Sequence, residues 1–327
     1  MRVLVTGGTG KVGNAVARAA RLAGHEVRVL VRDTARAKAV LPHDLELVTG
    51  DVTDPSSLEP AVDRCDLVFN AMGLPEQWLP DESLFGRVNA DGSANVARAA
   101  AAAGVRRMVH TSTIDVFDAP PGGRFEESRL AVTPRRTAYE RSKQRAERAV
   151  LDASGDMEIV FANPATVYGP GPAGSASLEK LFRLVLRGLL PTVPPGGFGV
   201  VFTEGLAHGH LLAAERGRPG QRYIFCDEHA TLMQLARTVV SVTGRGRAPL
   251  ATMPVGVATA VAAAGEAVAR VTHRPPLMAR GQLQFLLWNA VPDSTKAQRE
   301  LGWKPTPLDE GVRHTIAAAR GPKAVQS

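Results

Sequence analysis

Cysteine is almost missing from this chain: 327 residues include only Cys65 and Cys226. Two thiols cannot staple a disulfide framework, and their flanks lack metal-ligand spacing, so no metal site is expected. They suit a reducing, cytoplasmic setting. Long apolar runs are missing too. The longest uncharged stretch, 248–265, is Ala-rich, contains Pro249, Pro254 and Gly256, and falls short of the ~20 residues a membrane span needs. It reads as a buried helix, with interfacial membrane contact as the lesser reading. No secretory leader is expected, because a strand-like alternation begins at Arg2. Aromatic residues are scarce at 5%, and the net charge of +7 is not concentrated: the 39 basic residues form no run of five. Nucleic-acid binders gather such charge on one face or interleave it with aromatics. No nucleic-acid partner is expected; scattered arginine reads as solvated surface with room for one anionic ligand.

What remains is a globular composition, 44% hydrophobic and 22% charged, which excludes general disorder. The length allows a sizeable core in one large or two interlocking domains. The first half alternates two periods. Val/Leu-rich runs of strand length occur at 3–6, 27–31, 45–48, 67–71, 108–112 and 159–162, with helix-like stretches at 12–23, 88–103 and 138–153 between them. Such alternation predicts βαβ units and a doubly wound parallel α/β sheet covered on both faces. After Asn163 the texture changes. Pro and Gly cluster at 164–174 and 191–199 around a helical segment at 178–190; a helix is expected at 206–215 and a short strand at 222–225. The remainder reads as helical at 232–242, 255–271, 277–288, 294–301 and 308–319, with Asp293 or Ser294 as an N-cap.

The first strand runs into Thr6-Gly7-Gly8-Thr9-Gly10-Lys11-Val12-Gly13. Glycine permits the tight turn and lets the backbone approach a pyrophosphate, which then rests on the positive N-terminus of the following helix. Strand before and helix after are the context this motif requires. The end of the second strand selects the dinucleotide, since a carboxylate there holds a ribose 2′-hydroxyl and repels a 2′-phosphate. Here Val31 stands at the acidic position, Arg32 follows, and Arg36 and Lys38 lie close behind. Guanidinium suits a phosphate dianion, which favours NADP(H). Asp33 keeps NAD(H) open as the less favoured choice. The expected division is a Rossmann NADP-binding domain over 1–163, completed by about 200–228, with 164–199 and 229–320 as a smaller, mostly helical substrate-binding part.

Tyr139-Glu140-Arg141-Ser142-Lys143 places a phenol and an ammonium on one helical face. A neighbouring ammonium lowers the phenol pKa, so the pair should shuttle a proton near neutrality. Thr111, Ser112 and Thr113 put hydroxyls at the carboxyl end of a central strand, where such sheets bind ligands. His208 and His210, two apart on a helix, point to different sides and read as surface histidines rather than metal ligands.

With these pieces together the chain resembles the extended short-chain dehydrogenase/reductase family, also called the NAD-dependent epimerase/dehydratase family, over nearly its whole length. The resemblance is carried by the glycine turn, Gly50-Asp51-Val52, Asn89-Ala90-Asp91-Gly92, Thr111-Ser112-Thr113-Ile114-Asp115-Val116, Tyr139 with Lys143, Asn163-Pro164-Ala165-Thr166-Val167-Tyr168-Gly169-Pro170-Gly171, and Glu300-Leu301-Gly302-Trp303-Lys304-Pro305. It implies Tyr139 as acid–base residue, Lys143 on the nicotinamide ribose, and Thr113 as the catalytic hydroxyl with Ser112 as the alternative. It further implies Asp51 and Val52 beside the adenine, Ala71, Met72 and Gly73 on the cofactor's ribose side, Asn89 in the supporting hydrogen bonds, and Pro164 and Val167 facing the carboxamide. The cations that sugar-nucleotide members use on a substrate diphosphate are not evident: one such position falls on Phe198. Met253-Pro254 before an Ala-rich helix, Glu266, and His273-Arg274-Pro275-Pro276-Leu277 resemble instead the dihydroflavonol reductase-like and 3β-hydroxysteroid dehydrogenase-like branch. That branch implies an NADPH-dependent ketoreductase acting on a small apolar or aromatic carbonyl or alcohol, with Leu74, Trp78, Phe117, Phe198, Phe285 and Trp288 as candidate pocket residues. The alternatives are an NAD-dependent sugar-nucleotide epimerase/dehydratase and a non-catalytic dinucleotide sensor. A homodimer through the helices at 88–103 and 138–153 fits the family pattern; Arg141, Arg145, Glu147 and Arg148 would otherwise be a solvated face.

Overall fold

The apolar runs of the first half become the interior of a parallel sheet. In the computed structural model, which describes residues 1–172, 178–276 and 278–320, the leading strands are β1 (Arg2–Thr6), β2 (Glu26–Val31), β3 (Glu46–Thr49), β4 (Leu67–Asn70) and β5 (Arg107–Thr111). Glu158–Pro164 and Arg222–Phe225 complete a seven-stranded sheet of order Arg222–Phe225, Glu158–Pro164, β5, β4, β1, β2, β3, with every pairing parallel. Side chains alternate across each strand, so Val3 and Val5 enter one apolar cluster while Leu4 enters another on the opposite face. The crossovers carry α1 (Lys11–Leu22), α2 (Thr34–Val40), α3 (Glu59–Val62), α4 (Ser83–Phe85), α5 (Ser93–Ala102) and α6 (Ala138–Ala153). Strand order reverses at β1, with β2 on one side and β4 on the other. The crevice beyond their carboxyl ends is where doubly wound sheets take ligands.

Two helices shape that crevice. α5 is entered through a wide π-helical turn, Gly86–Gly92, that carries Asn89. α6 opens with a capping box: the Glu140 N–H donates to Thr137 Oγ1 at 3.1 Å and the Thr137 N–H to Glu140 Oε2 at 2.7 Å. That cap fixes the first turn, which holds Tyr139.

The C-terminal half differs from the sequence reading in several places. Gly197–Phe202 is a strand, the centre of a second sheet between Thr166–Tyr168 and Glu228–Thr231. Its glycines hide the strand pattern, and packing demands them: a Cβ at Gly199 would lie 2.7 Å from Pro292 Cγ. The helix expected from 277 runs Arg280–Trp288; Leu277, like Gly174 of the Pro/Gly cluster, lies outside the described residues. The stretch read as a buried helix forms Val255–Thr272, and it is not buried. Ala258, Ala262 and Ala269 face the body, while Val255, Val257, Val261, Val268 and Val271 are exposed. An apolar helix without a polar face gives no sequence signal for which side turns inward. Among the described residues it is the one helix long and apolar enough to cross a bilayer.

Candidate active site

The glycine turn is built by exclusion. Gly7 has φ +72°, a conformation costly for other residues, and a Cβ there would lie 2.6 Å from the Ala71 carbonyl oxygen. A Cβ at Gly13 would collide with the Gly7 carbonyl and stand 2.9 Å from the Gly8 nitrogen. Gly10 closes the turn, its N–H donating to Gly7 O at 2.8 Å. α1 therefore starts against the crevice with no side-chain cap and no acidic residue in its first turn. The first amides of a helix lack intrahelical acceptors, so those at Lys11, Val12 and Gly13 suit an anion. The Lys11 side chain points elsewhere: its ammonium meets Glu179 Oε1 at 2.8 Å and Gly169 O at 2.7 Å. Its offer to a phosphate is the backbone N–H.

At the far end of the crevice Arg32 leaves β2 with its side chain 73% exposed, 4.0 Å from Asp51. Arg36 and Lys38 are exposed on α2, whose N-cap Asp33 accepts the Arg36 N–H at 3.0 Å. Asp33 is thus spent on the helix. Burial pushes the Asp51 carboxyl up, but the Thr53 N–H and hydroxyl together with Arg32 hold it below its ordinary value. Val52 is half-buried against Gly92, where a Cβ would come within 2.8 Å of Val52 Cγ2.

The catalytic candidates converge at the ends of β4 and β5. Lys143 is 5% exposed and donates to Thr111 O at 2.9 Å. A Cβ at Gly73 would lie 3.5 Å from Lys143 Nζ and 3.2 Å from Asn89 Oδ1, so the loop carrying Ala71, Met72 and Gly73 passes directly over the ammonium. Asn89 pins that loop: it accepts the Leu74 N–H at 2.7 Å and donates to Leu74 O at 3.1 Å and Ser142 Oγ at 3.0 Å. Thr113 caps the short turn at Ile114–Val116, its hydroxyl 2.9 Å from Asp115 Oδ2, and lies on the side of the Tyr139 phenol. Ser112 is buried, with its hydroxyl unpartnered. Pro164 is buried at the end of its strand and Val167 half-buried on the next.

The electrostatics overturn one expectation. The Tyr139 phenol is pushed up, not down. Burial dominates, Asp115, Glu76 and Glu140 add to it, and the nearby Thr113 hydroxyl opposes it only partly. Lys143 is lowered to about 8 by burial, against the attraction of Glu147 and Asp115. The site near neutrality therefore presents a protonated phenol.

Several members of the site lack a local sequence signal. Asp115 and Glu76 are both raised to about 7, burial being the largest cause for each. Glu147 is 2% exposed rather than solvated; it accepts from Asn163 Nδ2 at 3.1 Å and Arg222 Nε at 2.6 Å. Its spacing of four from Lys143 was the available clue. Arg141, Arg145 and Arg148 do face outward. His210 is fully buried, correcting its reading as a surface residue. Its Nδ1 donates to Leu206 O at 2.9 Å and its Nε2 pairs with the Thr111 hydroxyl at 2.9 Å, and burial lowers it to about 4. His208 is exposed. Below the crevice Thr6, Asn70 and His110 form a buried chain, Thr6 Oγ1 to Asn70 Oδ1 at 2.6 Å and Asn70 Nδ2 to His110 Nδ1 at 3.1 Å.

Residues 3–231 match the NAD dependent epimerase/dehydratase family. The chain belongs to that family. It is 28% identical over 319 residues to a putative dihydroflavonol 4-reductase of a Synechocystis species, covering 95% of this chain and 92% of that protein. It is 29% identical over 310 residues to a 4-hydroxy-2-methyl-3-oxo-4-farnesyl-3,4-dihydroquinoline-1-oxide ketoreductase of Stigmatella aurantiaca, covering 93% and 92%. The crystal structure of gox2253 superposes with a TM-score of 0.81 at 31% identity over 97% of both chains. As a member of the epimerase/dehydratase family the protein is an oxidoreductase-type enzyme with a nicotinamide dinucleotide as its cofactor. The glycine turn and the uncapped α1 fit that group.

The candidate pocket residues divide. Leu74, Trp78 and Phe285 are half-buried, and Leu74 is held beside Asn89. Phe117, Phe198 and Trp288 are core residues instead. Phe117 packs on Phe125 at 5.9 Å, Phe198 on Phe285 at 6.1 Å, and Trp288 stacks on Phe125 at 5.2 Å while donating to Ala119 O at 2.8 Å. Large aromatics at these positions serve the interior.

Proposed function

We propose that this protein is an NADPH-dependent ketoreductase: it reduces the ketone of a small, largely apolar or aromatic substrate, or oxidises the corresponding alcohol. The observation that carries this reading is the buried Tyr139 on the first turn of α6, with Lys143 one helical turn on and donating to Thr111 O at 2.9 Å beside the Thr113 hydroxyl at the carboxyl end of β5. The nicotinamide supplies the hydride. The protein's residues do the rest. Thr113 and Tyr139 meet the carbonyl oxygen, and Tyr139 delivers its proton as negative charge develops there. Lys143, anchored on Thr111 O, holds the ribose and keeps positive charge beside the phenol. Residues 1–163 with 200–228 hold the cofactor; 164–199 and 229–320 hold the substrate. The burial of Phe198, where a sugar-nucleotide enzyme places a cation, supports an uncharged substrate.

A panel of apolar and aromatic ketones assayed in parallel with NADPH and NADH tests this. Turnover preferring NADPH is expected; equal use of both cofactors defeats the assignment of Arg32, and no ketone reduced at all defeats the activity. Arg32→Ala should raise KM for NADPH about tenfold and leave that for NADH nearly unchanged, because an exposed charge-assisted contact contributes roughly 1.4 kcal/mol.

A further inference from the structure

The Thr113 hydroxyl has one proton and two groups that can accept it. Its Oγ1 lies 2.9 Å from Asp115 Oδ2, accepts the Asp115 N–H at 3.3 Å, and stands on the side of the Tyr139 phenol. A carboxylate only accepts hydrogen bonds. An ionised Asp115 therefore takes the Thr113 proton, and none is left for a substrate carbonyl. A neutral Asp115 reverses the direction: its O–H donates to Thr113, whose own proton turns outward.

We propose that Asp115 is a positioning residue that sets the direction of the Thr113 hydrogen bond, so that ketone reduction runs on the form in which Asp115 carries a proton. This rests on the ketoreductase reading above. Asp115 is 8% exposed and its Oδ1 is buried without a hydrogen-bond partner. A carboxylate in such a place is poorly stabilised. The groups facing it do not compensate. Glu140 from α6 and Glu76 from the loop after β4 repel its charge, and Tyr139 from α6 is a neutral phenol. Arg135 and Lys143 attract it, but Arg135 is shared with Asp118 at 2.9 Å and Glu140 at 3.5 Å, and Lys143 is anchored on Thr111 O. The acid is accordingly held up to about 7.

Asp115→Asn preserves the shape and offers an amide N–H to Thr113 at every pH. For wild type, the rate of NADPH-driven ketone reduction should fall above pH 7 through loss of the neutral acid. Lys143 titrates in both proteins and Glu76 is removed from both as Glu76→Gln, so the ratio of the Asp115→Asn protein's kcat to that of its Asp115 parent isolates Asp115. With the acid at about 7, that ratio should rise about 100-fold between pH 6 and pH 9, and it should be flat when both proteins also carry Thr113→Ala. A flat ratio with Thr113 present overturns the proposal. A second measurement does not depend on turnover or on the variant folding. In the cofactor-bound wild type, Asp115 labelled with ¹³C at its carboxyl should titrate near neutrality; a carboxylate fully ionised at pH 6 overturns the proposal. A wild type that reduces no ketone while Asp115 titrates as expected defeats the ketoreductase reading instead.

Discussion

Tyr139→Phe should lower kcat for ketone reduction by roughly 10³-fold and leave NADPH binding within about twofold of wild type. The substitution removes one oxygen from a side chain whose ring is held independently: Tyr139 is 9% exposed and meets Phe85 edge-on at 5.9 Å. The ring and the α6 cap that positions it remain. What is lost is the proposed proton donor. Stopped-flow reduction of a substrate from the panel, read beside a fluorescence titration of NADPH, separates chemistry from binding. A variant turning over at the wild-type rate would show that another group supplies the proton. Burial and three nearby carboxylic groups favour the neutral phenol in wild type, so the acid form should not limit the rate at neutral pH.

Gly13→Ala should weaken dinucleotide binding by at least about 100-fold and lower the melting temperature. The added methyl would meet backbone, the Gly7 carbonyl and the Gly8 nitrogen, rather than a side chain that could swing aside. Either α1 moves off the sheet or the turn at Gly7 opens. The first disturbs packing of Val16 and Ala17, both fully buried, at a cost of about 1–3 kcal/mol. The second spoils the approach of backbone amides to the pyrophosphate. Calorimetric titration with NADPH and a thermal melt read the two consequences. Unchanged binding would place the pyrophosphate away from this turn. Gly24→Ala is the control: its φ is +82°, a conformation Gly13 does not share, but nothing lies within 4 Å of its Cβ position, so it should leave binding unchanged.

Local patterns were legible because they depend on neighbours in sequence. The strand, glycine turn and helix at 2–22 follow from apolar alternation and from which residues can turn, and Tyr139 and Lys143 share a face because four residues make one turn. The strand Gly197–Phe202 was not legible: its glycines answer to Pro292 and His229, contacts that exist only after folding. The same holds for the outward valines of Val255–Thr272, which differ from its inward alanines only in what packs beside them.

The chemistry divides in the same way. Sequence by itself determined the proposed reacting groups, the glycine turn proposed to hold a dinucleotide at the end of β1, and the placing of hydroxyls at the end of β5. The tertiary structure decided their protonation. Glu76, Asp115 and Glu140 come from three separate segments to surround one phenol, and Glu147 turns inward as a partner for Arg222 and a counter-charge for Lys143. An ammonium four residues away predicts a lowered phenol. Removal of water and the gathering of distant carboxyl groups outweigh it, because desolvation and long-range charge are set by packing and not by spacing along the chain.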